Sequence, residues 1–336
     1  MLEVKVILYC TARRLKCVTL GGNISIHEDL IALVVCTRNR PDYISGLLDN
    51  LNSLNSLPGR ILVVDSSDND TTSNVILAKN FTWMSRLSHL KSSPGLPHQR
   101  NVGIRKIMAD PTLDKVEVIS FTDDDCRLSE SYFEFLSKWV KNGPDFCAIT
   151  GLLDPPTKRN VSRWRTLFYL DSKKSGAVLK SGYTTPVDVT FGNKKVEWIP
   201  GGSMNIKKSA LKIFEFDSNL RMYGEDLKMS LMLRKFGPLY VDSDMTYQHL
   251  EAKSGKDKLE DIIAFSDGIR WQLAKEFNQS IKRRYILWSI FGSIIASGLN
   301  LFRSDRHNAS PKSILFGHLI FLCRILLKKS YTQKVG

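Results

Sequence analysis

Three consecutive carboxylates follow a short apolar segment in the middle of the chain. Asp123, Asp124 and Asp125 come directly after residues 116–121, a run typical of a buried strand. Their mutual repulsion is destabilising unless a cation offsets it. Hard divalent ions prefer carboxylate oxygens and often complete their coordination with substrate phosphates. The triplet therefore indicates an Mg²⁺ or Mn²⁺ site for a phosphorylated ligand, with a solvated acidic turn as the alternative.

A second group of carboxylates stands at the predicted start of a later helix. Glu225 and Asp226 follow Gly224, where the helix dipole favours negative charge. An ordinary acidic first turn is one interpretation. The other makes one of the two a general base that faces the same cleft as the aspartate triplet. His249 is a candidate metal ligand, although a lone histidine is more often structural.

Strands that alternate with helices must position these residues. Residues 30–36 form an apolar run that ends at Thr37, Arg38 and Arg40, and Pro41 suits the first turn of a helix. This order predicts an α/β protein with a mostly parallel sheet flanked by helices. Ligands of such sheets bind beyond the carboxyl ends of the strands. The polar residues that follow each strand are therefore expected at one edge.

Two further segments fit this arrangement. Residues 61–64 predict a second buried strand, which ends at Asp65, and Pro58 with Gly59 is expected to end the preceding helix. A carboxylate at the mouth of a strand could bind a nucleobase or ribose, although a plain turn aspartate is equally compatible. Arg100 and Asn101 lie near a helix start among turn-forming residues, which suits a phosphate or sugar clamp or a basic solvated turn.

Composition limits the classes of protein that remain. The chain has 336 residues, of which 43% are hydrophobic, which excludes disorder for most of it. A net charge of +14 favours polyanionic partners: nucleic acid, anionic lipid or phosphorylated small molecules. The six cysteines lack metal-ligand spacing and fit a reducing compartment.

In order and spacing, the motifs resemble those of the family 2 glycosyltransferases over roughly residues 30 to 250. The segments that carry the resemblance are 34–40, 63–65, 95–104, 121–125, 201–205 and 224–234. The resemblance implies a GT-A fold, in which a Rossmann-like nucleotide half joins an acceptor half. It also implies inverting transfer of a sugar from a nucleotide diphosphate sugar to a hydroxyl of a glycan or lipid-linked acceptor.

The resemblance implies roles for the donor-binding residues. Thr37, Arg38 and Arg40 lie on the first nucleotide loop, and Asp65 contacts the base or ribose. The remaining members of the donor-binding set are Arg100, Asn101, Asp123 and Asp124.

The metal and base roles follow from the same resemblance. Asp123 and Asp125 form the DxD site for Mn²⁺ or Mg²⁺, with Asp124 between them, and the register leaves open whether Asp124 lies nearest the metal. His249 is the further candidate ligand. Asp226 corresponds to the base that activates the acceptor, and Glu225 is the neighbouring candidate.

Two other classes of function remain as alternatives. One is a polyanion- or membrane-binding module with a degenerate catalytic cleft, which would use the basic surface. The other is a metal-dependent nucleotidyltransferase on a similar sheet, which would release pyrophosphate instead of a nucleoside diphosphate. The favoured interpretation includes no nucleic-acid partner.

The end of the chain predicts attachment to a membrane. Residues 285–302 carry no charge and follow Lys282, Arg283 and Arg284, and residues 314–327 form a second apolar segment. A hairpin or an interfacial helix pair at an anionic cytoplasmic membrane face fits this pattern, with buried core helices as the alternative. The expected organisation is an extension (1–29), a GT-A domain (30–256) and an apolar helical, membrane-associating region (257–336).

Overall fold

The polar residues predicted to follow the strands lie at the ends of parallel strands in one sheet. A computed structural model describes residues 26–156, 161–188, 192–220, 224–250, 258–298 and 310–327. The four parallel strands are β1 (Ile26–Thr37), β2 (Ser56–Asp65), β3 (Leu87–Lys91) and β4 (Val118–Asp123). Their order is β3-β2-β1-β4. The register sets Thr37 beside Asp65 and Cys36 beside Asp123, so the strand ends meet at one edge.

The second half of the sheet is mixed, which corrects the prediction of a mostly parallel sheet. Its strands are β5 (Cys126–Leu128), β6 (Ala148–Leu153), β7 (Asn193–Val196), β8 (Ser203–Lys207) and β9 (Leu239–His249). β8 runs antiparallel between β4 and β6, and β9 is parallel to β6 but antiparallel to β5 and β7. In the described residues, α5 and β7 are the elements between β6 and β8, and an antiparallel strand needs no long crossover helix before it.

Helices cover both faces of the sheet. They are α1 (Pro41–Asn52), α2 (Thr71–Leu77), α3 (Leu96–Met108), α4 (Tyr132–Asn142), α5 (Arg163–Leu167), α6 (Lys208–Leu211) and α7 (Glu225–Phe236). Leu33 and Val35 of β1 join one core with α1 and α4, whereas Val34 and Cys36 join the other with α3 and α7. β1 is continuously apolar because successive side chains enter two different cores.

Two predicted boundaries differ from the structure. Helix α1 ends at Asn52, and Pro58 and Gly59 lie inside β2 instead of ending the helix. Proline is tolerated there because Pro58 pairs with Glu28 at a register irregularity of β1. Strand β1 begins at Ile26, so residues 26–29 of the expected extension belong to the sheet, and residues 1–25 lie outside the described residues.

The C-terminal helices pack against the start of α7. They are α8 (Leu259–Glu276), α9 (Arg283–Gly298) and α10 (Pro311–Leu326). Their buried residues form a third apolar core, which includes Ile269, Ile290 and Phe321 together with Leu227 of α7. Among the described residues, no helix combines the length and apolar character needed to cross a membrane.

Candidate active site

Asp124, the middle residue of the triplet, forms hydrogen bonds with the loop after β1. Thr37 donates its hydroxyl to Asp124 Oδ2 at 2.7 Å, and Arg40 Nη1 donates to Asp124 Oδ1 at 3.0 Å. Burial raises the pKa of Asp124, although the bonds from Thr37 and Arg40 oppose this. Both oxygens are thus engaged by protein groups. Asp124 therefore links the loop after β1 to the triplet.

Arg38 lies at the surface of the same loop. Its Nη2 is 3.2 Å from Asp68 Oδ1, and Asn39 donates its amide to Asp68 Oδ2 at 2.7 Å. These contacts join the loop after β1 to the loop after β2. Arg38 remains about half exposed and presents a cation at the rim of the strand-end edge.

Asp65 is buried at the end of β2 and is surrounded by donors. Ser67 donates its backbone N–H at 2.8 Å, and His89 Nε2 and Lys91 Nζ lie 3.1 and 3.2 Å from Asp65 Oδ2. Although burial raises the pKa of Asp65, the bonds from Ser67, His89 and Lys91 bring it below its ordinary value. Neither His89 nor Lys91 was predicted as a site residue from the sequence. Their position in β3 could have indicated this role, because the register of β2 and β3 sets Lys91 beside Asp65.

Arg100 joins the triplet to the second pair of carboxylates. Its guanidinium is buried, with Nη2 3.2 Å from Asp123 Oδ1 and Nη1 3.4 Å from Glu225 Oε1. Nη2 also donates to the Gly201 carbonyl at 3.2 Å, and the cation lies 5.2 Å from the centre of the Phe216 ring. The predicted donor-binding cation is thus buried between the aspartate triplet and the start of α7.

Asn101 hydrogen-bonds to the backbone of Phe216. Its Nδ2 donates to the Phe216 carbonyl at 2.7 Å, and its Oδ1 accepts from the Phe216 N–H at 2.9 Å. The side chain is buried, and its amide pairs fully with one backbone unit. Asn101 therefore fixes the segment that carries Phe216, and through that ring it supports Arg100.

Asp125 and His249 come together with Cys126. Their ligand atoms all lie within 4.8 Å of one another, and His249 Nε2 is 3.2 Å from Asp125 Oδ1. The antiparallel register of β5 and β9 pairs Cys126 with His249 and so produces the cluster. Asp123 is not a member of this cluster among the residues the structure describes. Its side chain is partly exposed beside Arg100.

Glu225 and Asp226 begin α7 but face different surroundings. Glu225 is buried against Arg100, and burial together with the charge of Asp226 raises its pKa to about 7, while Arg100 opposes the shift. Asp226 is half-buried. Burial raises the pKa of Asp226, although the bond from the Leu227 N–H opposes this. Gly224 makes the turn before them possible because its φ is +80°.

Asp226 lines a pocket of about 210 Å³ at the start of α7. The other residues that line it are Gly182, Tyr183, Thr184, Trp198, Gly224, Leu227, Ser266, Ile269 and Arg270. Glu225 is not among them. Sequence analysis assigned no role to Tyr183 or Arg270, because the first lies in an irregular segment and the second within an ordinary helical stripe. A carboxylate, two aromatic rings and a cation therefore line the same pocket.

We expect Arg100→Met to destabilise the protein strongly. Removing one partner of a buried ion pair leaves the other charge uncompensated, which costs about 3–5 kcal/mol in the free energy of unfolding. Urea denaturation measures this loss. The matched control is Arg105→Met on the same helix, because Arg105 pairs with Glu215 at 3.7 Å with both side chains more than half exposed. That variant should lose less than about 1 kcal/mol. Equal losses would contradict the bridging role of Arg100.

Comparison with known proteins agrees with the geometry. The model of the family described as glycosyl transferase family 2 matches residues 32–210. A comparison with curated proteins finds no match.

Solved structures show a similar fold. The crystal structure of GalNAc-T7 with UDP, GalNAc and Mn²⁺ aligns with a TM-score of 0.52 and 13% identity over 79% of this chain, which spans 57% of that one. A mannosyltransferase from Pyrobaculum calidifontis, in complex with GDP-Man and Mn²⁺, aligns with a TM-score of 0.53 and 15% identity over 90% of this chain and 88% of that one. At identities this low, the structural similarity shows a shared GT-A-like fold and nothing more. Because the family model covers more than half of the chain, the protein belongs to glycosyl transferase family 2 and is a glycosyltransferase.

Proposed function

We propose that this protein transfers a sugar, with inversion, from a nucleotide diphosphate sugar to a hydroxyl of a glycan or lipid-linked acceptor. The observation that carries the proposal is that Asp226 lines a pocket, while Arg100 contacts both Asp123 of the triplet and Glu225, the residue before Asp226. An inverting displacement needs a base on the face opposite the leaving diphosphate. A carboxylate from the start of α7, a segment other than the metal loop, meets this need.

The donor nucleotide is assigned to the edge formed by β1, β2 and β4. Asp65 holds Ser67, His89 and Lys91 at the base or ribose end of this edge, and the exposed Arg38 offers a cation to the diphosphate. Thr37 and Arg40 hold the loop in place through Asp124. UDP and GDP-Man in the two similar structures support a nucleotide-sugar donor.

The donor set near Asp125 fits Mn²⁺ or Mg²⁺. A carboxylate suits both ions and an imidazole suits Mn²⁺ better than the harder Mg²⁺, whereas the buried Cys126 offers a soft sulfur that hard ions disfavour. Asp125 and His249 are therefore assigned as ligands, with Asp123 nearby on the same loop. When bound, the ion neutralises the donor diphosphate and stabilises its departure. Mn²⁺ in both similar structures supports the choice of ion.

Asp226 is assigned as the base, and Glu225 as its support. Only Asp226 of the two lines the pocket, whereas Glu225 is held by Arg100. Asp226 accepts the proton of the acceptor hydroxyl while that oxygen bonds to the anomeric carbon. The bond from the anomeric carbon to the diphosphate breaks at the same time, and the nucleoside diphosphate leaves with the electron pair.

We further propose that α9 and α10 lie on an anionic membrane at its cytoplasmic face. Leu287, Trp288 and Phe291 follow helical spacing on α9 and are exposed by 41–51%. The exposed apolar residues of α10 are Leu315, Phe316, Leu319 and Leu326. Each helix buries its opposite side against α8 and one another. An apolar outer face on a packed helix is typical of interfacial binding.

The charge beside this face supports an anionic lipid surface as its occupant. Lys282, Arg283 and Arg284 are exposed just before the apolar residues of α9, and Lys312 is exposed at the start of α10. Each such cation near an anionic leaflet contributes about 1 kcal/mol. Lys328 and Lys329 lie outside the described residues.

We expect donor binding to depend on the divalent ion. A thermal-shift panel of UDP- and GDP-sugars with Mn²⁺ should show stabilisation of about 2.7 kcal/mol at a hundred times the dissociation constant. EDTA or Asp125→Asn should remove it, because the diphosphate then meets the carboxylates without a cation. Asp145→Asn, an exposed aspartate far from the edge, is the control. Equal stabilisation with Mn²⁺ and with EDTA contradicts the assignment.

Asp226→Asn should bind donor but transfer sugar about 10²- to 10⁴-fold more slowly, because a positioned base is lost. Glu225→Gln keeps Asp226 and should retain more activity. Burial raises the pKa of Asp226, and the ionised form is the active base. Wild-type turnover should therefore fall on acidification at a higher pH than the ordinary aspartate value of about 3.9. A fully active Asp226→Asn with an inactive Glu225→Gln would move the base to Glu225.

Membrane binding should depend on the apolar face of α9. Trp288→Ser with Phe291→Ser should lose most sedimentation with phosphatidylcholine vesicles that contain phosphatidylserine, because the apolar contact is removed. The matched control is Leu77→Ser with Ile213→Ser, two exposed apolar residues outside these helices. Unchanged sedimentation of the α9 variant, or none for the wild type, rejects the membrane proposal.

A further inference from the structure

Two cations from separate segments lie over one aromatic ring at the start of α9. The centre of the Tyr285 ring is 5.4 Å from Lys180 Nζ and 5.0 Å from Arg284 Cζ. Both cations are exposed, and neither forms an ion pair with a carboxylate among the residues that the structure describes. Like charges that share one ring repel each other. An anion bound beside the ring would offset this repulsion.

Backbone contacts hold the two cations near each other. The Lys282 N–H donates to the Lys180 carbonyl at 2.9 Å, which ties an irregular segment to the start of α9. Ser181 donates its hydroxyl to the Tyr169 carbonyl at 2.5 Å, and the Tyr169 ring lies 4.6 Å from the Tyr285 ring. Tyr169 has a φ of +53°, a conformation that bulky residues rarely adopt. Residues held in such conformations cluster at ligand-binding and active sites.

The hydroxyl of Tyr285 lies in a positive electrostatic potential. The charge of Arg284 lowers the pKa of Tyr285 most, and the charge of Lys180 lowers it further. A hydrogen bond from Tyr169 acts in the same direction, although the loss of solvent opposes it. A lowered phenol pKa means that the surroundings favour negative charge at this oxygen. Together these residues form the Tyr285 cluster, which comprises Tyr169, Lys180, Arg284 and Tyr285.

The Tyr285 cluster borders the apolar face of α9. Trp288 lies one turn after Tyr285 and donates its indole N–H to the Leu167 carbonyl of α5 at 3.0 Å. Its ring stacks on Phe168, with 4.7 Å between the ring centres. Leu167 and Trp288 are both exposed. Cations and large apolar side chains therefore lie next to each other, which suits the boundary between lipid headgroups and acyl chains.

We propose that the Tyr285 cluster binds the phosphate of a lipid headgroup, and that this phosphate is a monoester. The proposal rests on the proposed membrane attachment of α9 and α10. Arg284 and the two tyrosines can donate hydrogen bonds to phosphate oxygens, whereas Lys180 supplies a compact charge. A phosphomonoester carries about −1.5 to −2 charges at pH 7, which two cations neutralise. A phosphodiester carries a single negative charge and would leave one cation uncompensated.

The neighbouring apolar surface favours a lipid over a soluble phosphate. A lipid whose phosphate lies in the Tyr285 cluster can place its acyl chains against Leu167 and Trp288. A soluble phosphate gains nothing from these side chains. Lys180 lies two residues before Gly182, which lines the pocket that contains Asp226. A headgroup bound at the cluster would therefore hold this part of the pocket wall at the membrane surface.

Sedimentation of the full chain with two kinds of vesicle tests this site. Both consist mainly of phosphatidylcholine. One also contains phosphatidic acid, whose phosphate is a monoester, and the other contains phosphatidylserine, at fractions that give equal zeta potentials. The wild type should bind the phosphatidic acid vesicles at least about 10-fold more tightly, the worth of one hydrogen bond to a charged group. Lys180→Gln with Arg284→Gln should remove this preference.

The matched control is Lys282→Gln with Arg283→Gln. It removes two cations from the same surface but none from the Tyr285 cluster, and Arg283 lies over a different ring, 4.6 Å from the centre of Trp271. This variant should bind both vesicles more weakly and keep the preference for phosphatidic acid. Tyr285→Phe keeps the ring and every cation but removes one hydroxyl, so it should reduce the preference without weakening binding to phosphatidylserine vesicles. Circular dichroism checks that each variant is folded.

The outcomes distinguish this inference from the proposed membrane attachment. A wild type that sediments with neither vesicle overturns the attachment and, with it, the lipid headgroup. Equal binding to the two vesicles overturns the headgroup site alone. An unchanged preference in the Lys180 and Arg284 variant, or an equal loss in the control, overturns the assignment to the Tyr285 cluster. Thermal stabilisation by glycerol 3-phosphate that equals the stabilisation by phosphatidic acid vesicles overturns the lipid source and makes the ligand a soluble phosphomonoester.

Discussion

The site depends on one buried cation. Burial alone would lower the pKa of Arg100, but the charges of Asp123 and Glu225 raise it, so the guanidinium stays charged away from water. The same charge opposes the protonation of Glu225, which is buried beside Asp226. Gly201 leaves room for this contact, since a Cβ there would lie 2.9 Å from Arg100 Nη2. One side chain of α3 therefore holds both the aspartate loop and the start of α7 in position.

The strand-end residues could be predicted from sequence because local pattern and sheet register act together. An apolar run predicts a strand, and the first polar residue after it marks the edge where parallel strands meet. Thr37 beside Asp65 follows from this rule. The partners of Arg100 do not. Glu225 lies 125 positions away, and the orientation of one guanidinium between two loops has no periodic signal.

The second half of the molecule was less predictable for a related reason. The direction of β8 is set by the path of the segment before it, which has little regular structure and no apolar period. The pocket wall at residues 182–184 belongs to this segment. Its closure depends on the positive φ of Gly182 and on Arg270 beneath it, and both are properties of the folded chain. A single glycine in a loop does not reveal which helix it approaches.

The apolar composition of the C-terminal helices could not decide between membrane association and burial in the core. Gly292, Gly298 and the serines of α9 weaken it as a membrane span, yet Gly292 and the serines pack inward. A Cβ at Gly292 would collide with the Phe168 ring, and Ser289 and Ser293 bond to Arg270 and His318. Ile286 and Ile290 are buried as well, whereas Leu287, Trp288 and Phe291 remain exposed. The inner face of α9 thus combines small polar groups with two isoleucines, while its outer face keeps three large apolar side chains. Such a helix can dock on the enzyme through shape and hydrogen bonds and keep its apolar surface for a second partner.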